Sequence, residues 1–198
     1  MRLFFASLVV VILDQLTKLA VELFLRESVP VIPNIFYLTR VHNSGGAFGL
    51  FTGFTWMFVA VGLLTLAFGL LFRRSIQTAP RLIRWAAVLI LGGALGNLID
   101  RLRFGYVIDF LDFRVWPVFN LADSSITVGT CLIVWSIFAE RGKRNQIPVT
   151  SNQKITDTRN QKVKNRLFII FSLPMALSLL SGFWSLVSGY FSNASRII

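Results

Sequence analysis

The sequence predicts an all-α polytopic membrane protein: a four-helix transmembrane bundle with a small β-like loop region on its outer face. Hydrophobic residues make up 55% of the 198 residues and charged residues 15%, whereas soluble proteins average about 45–50% and about 25%. The apolar residues are also clustered into stretches close to the roughly 20 residues that span a bilayer. The net charge of +11 therefore indicates cytoplasmic loops and anionic lipid rather than nucleic acid.

Four apolar segments supply the predicted bundle, and they cover residues 3–25, 54–72, 85–100 and 121–139. The first segment carries Asp14, Lys18 and Glu22 and has no A-x-A-like site, so it is not a cleavable signal peptide. In the third segment, Gly92 and Gly96 form a G-x-x-x-G spacing. This spacing permits close helix packing.

The connections differ in composition from these segments. Residues 26–52 contain two prolines and a strand-like run at 35–41, which predicts a hairpin or short sheet on the outer face. Residues 145–166 are polar and basic, which is typical of a flexible cytoplasmic linker. Residues 167–198 form a hydrophobic C-terminal extension. Its stretch 168–191 is a candidate fifth span, but Pro174 within it equally allows a re-entrant or interfacial segment.

Basic residues set the predicted orientation. Arg2, the 73–84 loop and the 141–144 segment together carry eight Lys and Arg residues, and the opposite side carries five. Because cytoplasmic loops are enriched in Lys and Arg, we expect the N-terminus and the 73–84 loop to be cytoplasmic.

Polar residues embedded in the apolar sequence converge on the outer side of this arrangement. Asp14 lies 11 residues beyond Leu3, which is about 17 Å along a helix. The others lie at the outer ends of the later segments or on the outer connections: Lys18, Asn43, Asn97, Asp100, Arg101, Asp109, Asn120 and Asp123. Ionisable groups in membrane segments are costly and indicate function, so this shared depth predicts a site.

The chemistry that these residues suggest is that of a carboxylate pair. Two adjacent aspartates share a proton, so that one takes a proton from water while the other polarises a carbonyl group. Asp109 and Asp123 are candidates. Asp100 and Asp14 are the alternatives, although ion pairs with Arg101 and Lys18 explain them better. Asp112 is interpreted as a solvated loop charge.

Competing chemistries find little support in the sequence. The single histidine, His42, excludes the H-E-x-x-H metalloprotease motif, and we expect it to be structural or exposed. Cys131 lies between apolar neighbours in the fourth segment, where a buried inert thiol is the simplest interpretation. The sequence thus predicts no metal site.

Five blocks of the sequence resemble those of lipoprotein signal peptidase, the bacterial type II signal peptidase. DQLTK at 14–18 resembles D-x-x-[ST]-K, and NSGGAF at 43–48 resembles N-x-G-x-A-F. GGALGNLIDR at 92–101 is similar to G-G-x-x-G-N-x-x-D-R, VIDF at 107–110 to V-x-D-F, and FNLAD at 119–123 to F-N-x-A-D. Gly46 is a small departure, because Ala or Val is commoner there. The resemblance covers about residues 3–140.

The resemblance implies an aspartyl endopeptidase of the bacterial inner membrane, occupying residues 1–144. It would cut the signal peptide of a diacylglyceryl-modified prolipoprotein just before the lipidated cysteine, with no cofactor or metal. Globomycin, a cyclic peptide, would inhibit it. Asp109 and Asp123 would be catalytic. The residues that would bind substrate or support the site are Asp14, Lys18, Asn43, Gly46, Asn97, Asp100, Arg101, Asn120 and Ala122. The site would lie toward the outer leaflet.

Two other classes stay open. A small channel or transporter would also place acidic residues and asparagines in a bundle, but it usually shows inverted repeats, and none is visible here. A non-catalytic lipid-binding or assembly subunit would keep the bundle and need no aspartate pair. Loss of cleavage on replacing either aspartate would separate the enzyme from both.

Overall fold

The computed structural model describes residues 2–45 and 55–144. These residues form mainly α-helices with one small sheet. In chain order the elements are α1 (Arg2–Phe24), β1 (Val29–Ile32), β2 (Phe36–Asn43), α2 (Thr55–Leu71), α3 (Arg73–Thr78), α4 (Arg81–Phe104), β3 (Val107–Asp112) and α5 (Leu121–Arg144). Each of the four predicted apolar segments therefore coincides with a helix.

Helix α4 lies at the centre and packs against α1, α2 and α5. Glycines make this close packing feasible. A Cβ atom at Gly92 would come within 2.7 Å of Val10, and one at Gly96 within 2.5 Å of Asp14, both on α1. A Cβ atom at Gly93 would collide with the carbonyl oxygen of Ala122 at the start of α5. The prediction that the G-x-x-x-G glycines mediate close helix packing is confirmed.

Two of the helices, Phe4–Phe24 and Arg81–Phe104, are long and apolar enough to cross a membrane. Thr55–Leu71 and Leu121–Ser136 are shorter apolar helices. The crossing of all four helices thus stays a prediction.

The sheet is larger than the sequence predicted. Strands β1 and β2 form the expected antiparallel hairpin, and β3 adds to the other edge of β2 in the order β1-β2-β3. The all-α expectation is corrected to this extent, because residues 107–112 were expected to be an outer connection. Val107, Ile108 and Phe110 are buried, and Ile108 and Phe110 pack with Val21 and Leu25 from the end of α1.

Two helix boundaries also differ from expectation. Helix α4 runs from Arg81 to Phe104, beyond the apolar stretch 85–100, because basic residues extend it at both ends. It ends at Gly105, whose φ of 81° is in the left-handed region that glycine adopts without strain. Residues 73–78 form α3 rather than an irregular loop. Buried Ile76 anchors this helix in a cluster with Ile83, Ala86 and Ile90.

Several sequence predictions lie outside the described residues. They concern Gly46, the linker 145–166, and the C-terminal extension 167–198 with its candidate span 168–191. These remain predictions.

Replacing Gly93 with Ala should destabilise the fold by about 1–3 kcal/mol, because its Cβ would overlap the backbone of α5. Thermal unfolding in detergent would measure this loss. Gly62→Ala is a matched control on α2, since its Cβ would meet Leu98 at an ordinary 3.4 Å. Equal stability of the two variants would contradict the close approach of α4 and α5.

Candidate active site

A buried lysine ammonium group lies at the centre of the polar cluster. Lys18 Nζ lies 2.8 Å from Asp14 Oδ2, 2.7 Å from Asp100 Oδ2 and 2.9 Å from Asn97 Oδ1. Its side chain is only 2% exposed. All three ammonium hydrogens thus have acceptors, which is the condition under which a buried charge is tolerated.

The two carboxylates around Lys18 make further contacts. Asp14 Oδ1 accepts a hydrogen bond from the backbone N–H of Ala122 at 2.9 Å, and Asp100 Oδ2 accepts one from Ile108 N at 3.3 Å. Asp14 therefore pairs with Lys18 as predicted, but Asp100 also pairs with Lys18 rather than with its chain neighbour Arg101. The i,i+4 geometry of α1 places Lys18 between the two aspartates, whereas the Arg101 side chain is directed elsewhere.

Gln15 is a cluster residue that the sequence analysis did not single out. Its Nε2 donates to Asp100 Oδ1 at 2.8 Å and lies 3.3 Å from both Asp14 Oδ2 and the carbonyl oxygen of Gly96. The only available signal was its place directly after Asp14 in the first block. Gly96 leaves room for this arrangement, because a Cβ atom there would lie 2.5 Å from Asp14 Oδ2.

Asn97 connects the lysine cluster to Asp123. Its Oδ1 accepts hydrogen bonds from Lys18 Nζ and from Asn120 Nδ2. Its Nδ2 donates to Asp123 Oδ1 at 2.8 Å. Since Oδ1 is occupied by two donors, the amide nitrogen of Asn97 is held toward Asp123.

Asn120 and Asp123 form a reciprocal cap at the start of α5. Asn120 Oδ1 accepts the backbone N–H of Asp123 at 2.9 Å, and Asp123 Oδ2 accepts the backbone N–H of Asn120 at 3.3 Å. This is the arrangement of a capping box, with Asn and Asp in the two positions. The first turn of α5 also contacts α1, because the backbone N–H of Ala122 donates a hydrogen bond to Asp14. The side chain of Ala122 is buried.

Asp109 lies on β3 and faces the start of α5. Asn120 Nδ2 donates to its Oδ1 at 2.7 Å, and Asn43 Nδ2 donates to its Oδ2 at 2.9 Å. The side chain is buried, and this desolvation, reinforced by the nearby Asp123 carboxylate, raises the pKa of Asp109 to about 8. At neutral pH Asp109 therefore carries a proton. Asp123 is half-buried, so one carboxyl of the pair is more accessible than the other.

Arg101 lies beside this pair on α4. Its guanidinium group donates to the carbonyl oxygen of Gly45 at 3.3 Å and lies 4.9 Å from the ring centre of Phe58. It is close enough to Asp123 and Asp109 to interact electrostatically with both. Within residues 2–45 and 55–144 its buried Nε has no hydrogen-bond partner.

The structure thus brings together ten of the eleven residues predicted for the site. These are Asp14, Lys18, Asn43, Asn97, Asp100, Arg101, Asp109, Asn120, Ala122 and Asp123. Gly46 lies outside the described residues. In the described part of the chain, no group of three or more His, Cys, Asp or Glu side chains could hold a metal ion.

Three further residues test other expectations from the sequence. The prediction for Asp112 is wrong, because it is buried and accepts hydrogen bonds from Thr39 Oγ1 and Arg114 N; its position on β3 turns it inward. The burial predicted for Cys131 is also wrong, since it lies on an exposed face of α5. His42 is exposed, as expected, and lies 2.5 Å from Glu22 Oε1.

Replacing Lys18 with Met should destabilise the fold by about 3–5 kcal/mol, because Asp14 and Asp100 would be left buried without their cation. Denaturant titration in micelles would measure this. Glu22→Gln is the control on the same helix as Lys18: the carboxylate of Glu22 is partly exposed and contacts Arg40 and His42 on β2. This change should cost less than about 1 kcal/mol. A stable Lys18→Met protein would show that the ammonium does not hold the cluster together.

Comparisons with known proteins identify the family of this chain. The family described as "Signal peptidase (SPase) II" matches residues 6–139. Lipoprotein signal peptidase of Halothermothrix orenii is 46% identical over 129 residues, which cover 64% of this chain and 88% of that protein. The one of Moorella thermoacetica is 46% identical over 144 residues, covering 72% of this chain and 96% of that protein.

Solved structures give the same result. A bacterial membrane enzyme determined by the in meso method at 2.3 Å resolution aligns with a TM-score of 0.67 and 31% identity, covering 75% of this chain and 94% of that one. A second, at 1.9 Å, aligns with a TM-score of 0.61 and 33% identity over 69% and 92% of the two chains. Because the matched region contains every described residue of the carboxylate cluster, the chain belongs to the signal peptidase II family.

Proposed function

We propose that this protein removes the signal peptide from diacylglyceryl-modified prolipoproteins, cutting just before the lipidated cysteine. It would be an aspartic endopeptidase in which Asp109 and Asp123 activate a water molecule. The observation that carries the proposal is the attachment of both carboxyl groups to Asn120, through its side chain and its backbone N–H. Family membership supplies the substrate class.

The environments of the two aspartates suggest different roles. Protonated Asp109 would donate a hydrogen bond to the scissile carbonyl oxygen and polarise it. Ionised Asp123, which is half-buried and accepts hydrogen bonds from Asn97 and Asn120, would accept a proton from water. The resulting hydroxide-like oxygen would attack the carbonyl carbon while the Asp109 proton passes to the carbonyl oxygen. This step would give a neutral tetrahedral diol and leave Asp109 ionised and Asp123 protonated.

Collapse of the diol completes the reaction. The proton held by Asp123 would pass to the cysteine nitrogen as the C–N bond breaks, and a hydroxyl proton of the diol would return to Asp109. Both aspartates would then regain their starting protonation states. The products are a signal peptide with a new carboxylate and a lipoprotein with a free amino group on its cysteine. These proton transfers and bond changes need no metal or organic cofactor.

The neighbouring polar groups would hold the reacting groups in place. Asn43 and Asn120 fix both oxygens of Asp109, and Asn97 fixes Asp123. Among the described residues, the Nε–H of Arg101 has no hydrogen-bond acceptor, and Arg101 lies near both carboxyl groups. Arg101 could therefore donate a hydrogen bond to a carbonyl group of the substrate. Lys18, Asp14 and Asp100 would act as supports through their contacts with the start of α5 and with β3.

The proposed location is the bacterial inner membrane, with several spans, a cytoplasmic N-terminus and a site toward the outer leaflet. The apolar helices support a membrane location, and the basic residues of the 73–84 loop support the orientation. A lipidated substrate would then reach the carboxylates from the bilayer. Globomycin-type cyclic peptides would compete for the same site. Transport or passive lipid binding would not require the shared contact of the two aspartates with Asn120.

Asp109→Asn and Asp123→Asn should each abolish cleavage, because neither variant can both hold and release the shared proton. The assay is cleavage of a purified, diacylglyceryl-modified prolipoprotein by detergent-solubilised protein. Asp112→Asn is the matched control: it also changes a buried carboxylate of β3, but one that contacts Thr39 and Arg114 instead, so it should cleave. Unlipidated substrate should not be cut. Cleavage by a folded Asp109→Asn or Asp123→Asn protein would refute the mechanism.

The rate should depend on pH as a bell-shaped curve. Since Asp109 acts in its protonated form, its loss of the proton at a pKa of about 8 should produce the alkaline limb of kcat/KM near that pH. Protonation of the pair should produce the acid limb. Initial rates across a buffer series would measure the profile. A rate that stays constant through alkaline pH would contradict protonated Asp109.

A further inference from the structure

The described charges are separated along the bundle. The carboxylates with described side chains lie on α1 from Asp14 onward, in the following connection, or from Asp100 to Asp123. The opposite end of the bundle carries Arg73, Arg74, Arg81 and Arg84. None of these four arginines forms an ion pair within the described part of the chain, so the described side chains at this end are predominantly positive.

A small, half-open cavity lies at this basic end, between α1, α2, α3 and α4. Arg73 and Arg84 both line it, whereas Arg74 and Arg81 do not. Much of the remaining wall is apolar and includes Phe4, Ile76, Ala87, Val88 and Leu91. Arg84 is half-buried and Arg73 is exposed. The cavity therefore has an almost wholly apolar wall, and two arginines are among the residues that line it.

The position along α4 indicates where this cavity lies relative to a bilayer. Arg84 precedes Asp100 by sixteen residues, which is about 24 Å along a helix. The next residue, Trp85, is 49% exposed. Tryptophan is enriched at membrane interfaces, where its amphipathic ring lies among headgroups. In the predicted orientation, the cavity would lie at headgroup level in the leaflet opposite the carboxylate cluster.

We propose that this cavity binds an anionic phospholipid. The lipid phosphate would lie between Arg73 and Arg84, and part of an acyl chain would pack along the apolar wall. Basic pockets between transmembrane helices bind such headgroups. The hydrocarbon wall favours a lipid over a free phosphate ion, and the unpaired cations favour an anionic lipid over a zwitterionic one. The site is independent of the peptidase chemistry.

Native mass spectrometry of the full-length protein released from detergent tests the proposal. Dioleoylphosphatidylglycerol should remain bound to the wild type, whereas dioleoylphosphatidylcholine and glycerol 3-phosphate should not. The variant is R73Q/R84Q, and the matched control is R74Q/R81Q, which removes the same charge from the same end. At roughly fivefold per removed cation, R73Q/R84Q should bind phosphatidylglycerol about 30-fold more weakly. R74Q/R81Q should bind it nearly as well as the wild type.

Equal losses in the two double variants would overturn the proposal, because they would show a general charge effect without a defined site. Equal retention of phosphatidylcholine by the wild type would also overturn it, as would retention of glycerol 3-phosphate in place of the lipid. If R73Q/R84Q fails to fold, binding of the three ligands to the wild type still tests the proposal.

Discussion

The buried ammonium group of Lys18 is the interaction on which the rest of the site depends. It brings Asp14 of α1 and Asp100 of α4 together, although two buried carboxylates without a cation would repel each other. Asp14 in turn binds the first turn of α5, and Asp100 binds the backbone of β3. The contacts of Lys18 and its two aspartates therefore connect α1, α4, α5 and β3. The fold can hold a polar cluster in apolar surroundings because every ammonium hydrogen has an acceptor.

The contacts that cap the start of α5 also hold the two aspartates of the proposed catalytic pair. Asn120 and Asp123 cap this helix reciprocally, and the Asn120 amide also binds Asp109. An acidic residue in a first helical turn is commonly interpreted as a favourable partner of the helix dipole. Capping the helix and the proposed catalytic role of Asp123 are compatible here. The cap fixes the Asp123 carboxylate, and burial on β3 keeps Asp109 protonated beside it. A pair with two different environments can supply an acid and a base at the same pH.

Much of the fold could be predicted because apolar length is a strong signal, and all four predicted segments coincide with helices. The positions of the polar residues along the chain were enough to predict that nine of them meet, whereas Ala122 was predicted only from the family resemblance. The partner of Asp100 could not be predicted, because Arg101 is adjacent in sequence while Lys18 is a neighbour only in the folded bundle. Strand β3 and the burial of Asp112 were missed for a related reason. A short run such as VIDFLD becomes a strand only when the edge of β2 is available to pair with it.

The central claim, that the aspartate pair activates water, is tested most directly by oxygen isotope transfer. A single turnover with excess enzyme in H₂¹⁸O should place one ¹⁸O atom in the new carboxylate of the released signal peptide and none in Asp109 or Asp123. Mass spectrometry of the product and of peptides from the protein would measure both. Appearance of ¹⁸O in either aspartate, with an unlabelled product from the first turnover, would show that a carboxylate attacks the substrate directly. That result would contradict the mechanism.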